Sequence, residues 1–267
     1  MYGSRVDSMG RPRKRHVQTE MRLKFDKNGQ RRGGPQAKAG RKPNGPHAGV
    51  SHLRRADVNP RHPKHITLRV SSALGWLRRF DTFAAVRHAL RVVSTRHPNF
   101  RIVHISVQNT HLHLICEAES KQALERGLQG FQISAAKALN AAISKRRRTE
   151  RHGRVFTDRY HREDLDTPRQ VRNAVAYVIN NWRRHGVDRN ALFALHEGRL
   201  DPYASGLSFA GWRDALPSRP PEMPNGYEPP PVSEPSTWLL RVGWTKAPPI
   251  GMFDTPGPRR SVHVDAE

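Results

Sequence analysis

Residues 102–117, IVHISVQNTHLHLICE, contain the clearest structural signal in this chain of 267 residues. Two runs rich in β-branched and other apolar residues, 102–107 and 111–117, flank the tripeptide Gln108-Asn109-Thr110. Asparagine and its polar neighbours favour a turn, because their side chains can bond to nearby backbone groups. The pattern therefore predicts an antiparallel hairpin.

The second run of this hairpin brings two imidazoles together. Because side chains alternate across a strand, His111 and His113 share one face, while Leu112 and Leu114 point to the other. Two neighbouring imidazoles can hold a divalent metal if a third ligand comes from elsewhere. The same pattern also fits two half-exposed strand histidines in a chain that has 15. The one cysteine, Cys116, continues the apolar face, so further ligands would have to be His, carboxylate or amide groups.

Upstream of the hairpin, the sequence predicts one strand and one helix. Residues 65–70 alternate between apolar and polar side chains, as a half-buried strand does. A helix is expected to follow, with Asp81 as its N-cap and its end before Pro98.

Downstream, Ser120 is expected to cap a helix that runs into the basic cluster 145–148, and a fourth strand is expected near 155–164. The resulting order β-α-β-β-α-β is typical of the ferredoxin-like split β-α-β arrangement. We therefore predict an α+β fold in which one antiparallel sheet has helices packed on one face.

A third helix has the strongest local pattern. Thr167 is its expected N-cap, Pro168 its first residue and Gln170 the partner of Thr167 in a capping box. At 100° per residue, Tyr177 lies roughly 130° from the centre of the apolar stripe, and Asn181 follows one turn later on the same side. The stripe consists of Val171, Ala174, Val175, Val178, Ile179 and Trp182.

Composition divides the chain into three zones. Residues 1–63 are expected to form a basic, largely disordered arm, 64–187 the folded domain and 188–267 a proline-rich extension. The formal net charge of +24 makes nucleic acid the leading partner. The chain has no long apolar run and no signal-like N-terminus, so we expect a cytoplasmic protein without a membrane partner.

Together, the two histidines, the helical tyrosine and the basic scaffold suit metal-assisted attack of a tyrosine on a phosphodiester. Two imidazoles and a side-chain oxygen would leave open positions on Mg²⁺ or Mn²⁺ for a scissile phosphate. The tyrosine would displace the 3′ oxygen and remain linked as a 5′-phosphotyrosine, which preserves the phosphodiester energy for rejoining.

Three segments resemble a known family. His111-Leu112-His113 resembles the HUH motif, and residues 177–182, YVINNW, resemble the Tyr-Ile-x-x-Asn-Pro stretch of REP-associated tyrosine transposases. Residues 154–161, RVFTDRYH, resemble the aromatic-x-x-Arg-Tyr-His block of these single-tyrosine HUH enzymes. The resemblance covers roughly residues 64–187.

The resemblance implies a transposase that cuts and rejoins single-stranded DNA beside a hairpin, often as a homodimer. It implies metal ligands at His111, His113 and Asn181, and a nucleophile at Tyr177. Asn181 stands where better-known members have Gln, and Trp182 replaces the proline that usually follows.

Several arginines are expected to contact DNA phosphates, although a solvated basic surface would have the same composition. They are Arg148, Arg154, Arg159 and Arg162. Tyr160, next to His161, is the alternative nucleophile. Two alternative functions remain at this point: a domesticated nickase that does not mobilise its own gene, and a catalytically silent regulator that binds hairpin DNA.

Overall fold

Four strands form a single antiparallel sheet in the computed structural model, which describes residues 55–184, 200–214 and 227–255. The strands are β1 (Lys64–Arg69), β2 (Phe100–Val107), β3 (His111–Ala118) and β4 (His161–Asp164), in the order β2-β3-β1-β4. Two helices connect them: α1 (Phe80–Arg96) follows β1, and α2 (Lys121–Arg147) follows β3. This topology is the predicted ferredoxin-like arrangement.

Helices α1 and α2 cover one face of the sheet, as predicted. The apolar side chains of β1 and β3 that point to this face are almost fully buried, among them Ile66, Leu68, Leu112 and Leu114. Cys116 belongs to the same cluster. Burial of this continuous apolar surface is the main force that holds the two helices against the sheet.

Two details differ from the sequence-based predictions. Asp81 is not the N-cap of α1: Arg79 occupies that position, and the carboxylate of Asp81 instead forms an ion pair with Arg146 at 2.6 Å. The fourth strand is shorter than expected, because the chain pairs with β1 only from His161 to Asp164. Ser120 does cap α2, since its hydroxyl accepts a hydrogen bond from the amide of Ala123.

A third helix, α3 (Pro168–Arg184), lies on the opposite face of the sheet. Its apolar stripe packs against Val103 of β2 and Ile115 of β3. The predicted capping box is present: Thr167 Oγ1 accepts from the amide of Gln170, and Gln170 Oε1 accepts from the amide of Thr167. The last described residue of α3 is Arg184.

Parts of the expected C-terminal extension pack on this second face. The segment 236–254, which we call the C-terminal strap, includes the short helix α4 (Trp238–Arg241) and runs along the outer side of α3. Buried Glu117 accepts hydrogen bonds from the amides at its start, those of Ser236 and Thr237, at 2.8 and 2.7 Å. Most of the expected N-terminal arm, 1–54, lies outside the described residues, as do 185–199, 215–226 and 256–267.

None of the helices within the described ranges has the length and apolar character needed to cross a membrane.

Candidate active site

The two histidines of β3 point towards each other on the face of the sheet that α3 covers. His111 Nε2 and His113 Nε2 are 2.9 Å apart. Their other ring nitrogens contact hydroxyl groups: His111 Nδ1 lies 3.1 Å from Thr110 Oγ1, and His113 Nδ1 lies 3.2 Å from Thr67 Oγ1. A partner at Nδ1 restrains the orientation of the ring, and this leaves Nε2 as the nitrogen available for ligation.

A third imidazole supports the pair. His65 of β1 stacks on His113 with ring centroids 5.2 Å apart, and its Nε2 lies 3.2 Å from His113 Nδ1. Burial lowers the pKa of His65, against the opposing effect of the Glu163 carboxylate 3.6 Å away. The ring therefore favours the neutral state, in which one nitrogen donates and the other accepts.

Tyr177 of α3 lies over these histidines. Its ring is edge-on to His113 at a centroid distance of 5.0 Å and to His65 at 5.7 Å. The helical pattern placed Tyr177 away from the apolar stripe. In the structure the side chain is half-buried against His65 and His113 of the sheet. The reason is that α3 is covered on two sides, by the sheet and by the C-terminal strap.

Asn181 lies one turn after Tyr177 and is fully buried. Neither the oxygen nor the nitrogen of its amide has a hydrogen-bond partner among the residues that the structure describes. An unsatisfied buried amide costs on the order of 1–3 kcal/mol, so such a group needs an explanation. A bound cation coordinated by the amide oxygen would provide such an explanation.

These residues fit a divalent cation with nitrogen and oxygen ligands. The two Nε2 atoms converge to 2.9 Å from each other, an arrangement that suits two imidazole ligands of one cation. The described residues contain no group of three or more His, Cys, Asp or Glu side chains suited to a metal. Among the described residues, the buried amide of Asn181, which has no hydrogen-bond partner there, is a candidate third ligand.

The predicted phosphate-binding arginines fall into two groups. Arg148, at the C-cap of α2, and Arg154 are exposed, and Arg159 is half-buried. Arg162 differs, because its side chain is only 9% exposed and forms an ion pair with Asp164 at 3.1 Å. Arg162 thus pairs with a carboxylate of its own strand, and its Nη2 also donates to the carbonyl of Ala56 at 3.1 Å.

The alternative nucleophile, Tyr160, is in a different environment from Tyr177. Its ring packs against the apolar cluster between the sheet and α1 and α2, which is the other face of the sheet. The guanidinium of Arg55 covers it at 3.4 Å from the ring centroid. The structure does not bring Tyr160 together with the histidine pair.

Sequence reasoning missed His65 and Thr67 as parts of this site. The signal was present in the alternation of the first strand, because the apolar assignment of Ile66 and Leu68 leaves His65 and Thr67 on the other face. What was lacking was the register, which places Thr67 opposite His113.

No family model matches the sequence, and no curated protein matches it either. Among solved structures, a REP-associated tyrosine transposase bound to a REP hairpin is similar, with 17% identity, a TM-score of 0.42, and coverage of 51% of this chain and 75% of that one. A bacterial tRNA(His) guanylyltransferase-like protein in complex with GTP is also similar, with 13% identity, a TM-score of 0.32, and coverage of 52% and 67%. With identities and TM-scores this low, these similarities assign no activity to this chain. The description of the fold rests on the observed strand order.

Proposed function

We propose that this protein is a single-strand DNA endonuclease and strand transferase, a transposase, that uses Tyr177 as its nucleophile. The observation that carries the proposal is the position of the Tyr177 ring, 5.0 Å from the ring of His113 and on the same face as the converging Nε2 pair. The resemblance of residues 111–113 and 177–182 to the HUH and tyrosine motifs supports it, and so does the net charge of +24.

In the proposed reaction, Tyr177 Oη attacks the phosphorus of a DNA phosphodiester. The Oη–P bond forms as the P–O3′ bond breaks in line; the phenol loses its proton, and the departing 3′ oxygen gains one. The 5′ phosphate of the downstream strand stays on the tyrosine. Rejoining is the reverse step with another 3′ hydroxyl, so no external energy source is needed.

His111, His113 and Asn181 would hold Mg²⁺ or Mn²⁺. When bound, the cation supplies positive charge next to the scissile phosphate. Thr110 and Thr67 keep the two imidazoles oriented through their Nδ1 atoms.

We propose that the substrate is single-stranded DNA that flanks a hairpin. The exposed Arg148 and Arg154, together with Arg159, would contact its phosphates, whereas Arg162 remains bound to Asp164. Tyr177 and both histidines belong to one chain and already lie together, so a single chain supplies the complete set.

The test is adduct formation with the purified full-length protein. Hairpin DNA from the flanks of its own gene, labelled at the 3′ end, is incubated with Mn²⁺ and separated on a denaturing gel. We expect a covalent protein–DNA adduct with the natural protein and with Tyr160→Phe, and none with Tyr177→Phe.

An adduct that persists in Tyr177→Phe and disappears in Tyr160→Phe would transfer the nucleophile to Tyr160 and overturn the site. Tight hairpin binding without an adduct, for every flank tried, would favour the silent regulator. Binding by such a regulator should follow salt concentration and ignore Mn²⁺.

A further inference from the structure

The loop between β1 and α1 and the first residue of α1 each present a large aromatic side chain to solvent. Trp76 is 71% exposed and Phe80 is 46% exposed. Trp76 has the largest exposed fraction of the large hydrophobic side chains that the structure describes, and Phe80 lies only four residues further along the chain. Neither residue takes part in the site described above.

This loop is firmly held, so the outward position of the indole is part of the fold. Leu74 and Leu77, on either side of Trp76, are fully buried. Between them, Gly75 has a φ of +74°, which other residues rarely adopt, and this turn directs the next side chain outward. Arg78 then fixes the end of the loop through an ion pair with Asp201 at 2.7 Å.

The surroundings of the loop are cationic. The end of α2 lies next to it: Arg147 Nη2 donates to the carbonyl of Ala73 at 3.1 Å. Arg79, Lys145, Arg147 and Arg148 are exposed, while Arg146 is paired with Asp81. Repulsion between two such surfaces disfavours pairing with a second copy of this chain, and a polyanion is the complementary partner.

The loop also lies beside the candidate active site. The amide of Leu77 donates to the carbonyl of Asn109, and the amide of Val70 donates to that of Thr110, the residue before His111. In addition, β1 ends opposite the start of β3, with Arg69 paired to His111. A strand that crosses the end of α2 and passes Trp76 would therefore reach the histidine pair.

We propose that Trp76, with Phe80 beside it, is a stacking platform for an unpaired base of single-stranded DNA whose phosphates contact the cations at the end of α2. The identity of the ligand as DNA rests on the proposed function. Every base has a π-face, and aromatic platforms in basic grooves are a general means of holding single strands.

The experiment compares two DNA ligands by fluorescence anisotropy, with EDTA present and in the Tyr177→Phe background, so that no cleavage is required. One ligand is a blunt hairpin, and the other is the same hairpin with an unpaired extension of several nucleotides. Trp76→Ala should weaken binding of the extended hairpin by about 5- to 150-fold, and should leave binding of the blunt hairpin within about twofold. Trp76→Phe should retain most of the affinity.

Trp238 supplies a matched control. It is 52% exposed, but it lies in α4, beside the other end of β3, where Glu117 binds the strap. Trp238→Ala should change neither affinity. The slope of log K against log salt should be unchanged in Trp76→Ala and shallower by somewhat less than one in Arg147→Gln, because only the second variant removes a phosphate contact.

Equal weakening of both ligands by Trp76→Ala, or no weakening of either, would overturn the platform. A second measurement remains informative if that variant folds poorly: 2-aminopurine in the extension should be quenched when the Tyr177→Phe protein with intact Trp76 binds, and absence of quenching at every position would overturn the proposal. Loss of self-association in Trp76→Ala, with the ratio of the two affinities unchanged, would instead identify a contact between protein chains. None of these binding measurements depends on formation of a covalent adduct. Their results can therefore contradict the stacking platform without contradicting the proposed nuclease activity, and the reverse also holds.

Discussion

Hydroxyl groups orient the two histidines of β3. Thr67 and Thr110 each contact an Nδ1 atom, which leaves the two Nε2 atoms 2.9 Å apart. A hydroxyl can donate or accept, so it supports a neutral imidazole without adding negative charge to the site.

At the scale of residues, the sequence identifies candidate site residues better than it predicts their burial and their contacts. The pair His111 and His113, and its place on a strand, follow from alternation alone. The unsatisfied amide of Asn181 could not be foreseen, because it depends on burial of α3 from two sides. The engaged state of Arg162 depends on its partner Asp164, which only the folded β4 reveals.

His104 makes folding stability depend on pH. Its ring is buried against Phe209, with Nδ1 3.2 Å from Ser205 Oγ, and burial lowers its pKa to about 4. An unfolded histidine titrates near 6.5, so between these values the unfolded chain binds a proton that the folded chain does not. Stability from this group is complete above about pH 6.5 and falls as the pH drops towards 4.

When the pH falls from 7.5 to 5, we expect protonation linked to His104 to lower the free energy of unfolding of the natural protein by about 2 kcal/mol. Urea unfolding at the two pH values, for the natural protein and for His104→Asn, measures it. The amide of the variant does not titrate. Its free energy of unfolding should therefore fall by about 2 kcal/mol less than that of the natural protein over the same pH change. The same loss in both proteins would contradict the assignment.

At the scale of elements, local sequence patterns correctly predicted the features that are determined within a short stretch of the chain. The capping box of α3 and the hairpin are examples, since both depend on residues close in sequence. The predicted cap at Asp81 was wrong because a tertiary ion pair with Arg146 takes the carboxylate. Local propensity can lose to such a contact.

Docking of the C-terminal strap could not be predicted, because backbone carbonyls make most of its polar contacts. Arg172 donates to the carbonyls of Pro248 and Pro249, and Asn180 donates to that of Gly251. Backbone carbonyls are present in every segment, so these contacts leave no pattern in the sequence. Proline-rich composition alone is more typical of an extended tail.

Glu117 should be the polar anchor for the start of this strap. Its buried carboxylate accepts two amide hydrogen bonds, from Ser236 and Thr237. Bonds to a charged acceptor are worth more than neutral ones, and Glu117→Gln removes the charge and one of the two acceptor atoms. We expect the variant to lose about 1–3 kcal/mol of stability, measured by thermal unfolding.

Glu119→Gln is the matched control for this prediction, since it makes the same change two residues further along on an exposed side chain. Surface substitutions of this kind stay within about 0.5 kcal/mol. Similar unfolding temperatures for the two variants would show that Glu117 does not anchor the strap.

At the scale of the whole molecule, the strap and the sheet enclose α3 within its own chain. Arg183 Nε donates to the carbonyl of Met252 at 2.9 Å, and Asn180 holds Gly251 one turn earlier. On its other side, α3 packs on the sheet through buried residues such as Val175 and Ile179. Exchange of α3 with a second chain would have to break both sets of contacts.

We therefore expect each chain to use its own tyrosine, even if two chains associate on DNA. Tyr177→Phe lacks the nucleophile, and His111→Ala lacks one proposed metal ligand but retains Tyr177. Each variant alone should form no adduct, and an equal mixture should form none either, because neither chain contains a complete site. The assay is the denaturing gel described above, with one variant lengthened by a tag so that the two chains separate.

An adduct on the His111→Ala chain, appearing only in the mixture, would mean that its α3 reaches the histidines of the Tyr177→Phe chain. Such a result would require the strap to release α3. Glu117→Gln, introduced into both variants, should then increase the amount of mixed adduct, because it weakens the anchor of the strap. If the mixture stays inactive with and without this change, the enclosed position of α3 in the structure is the one used for catalysis.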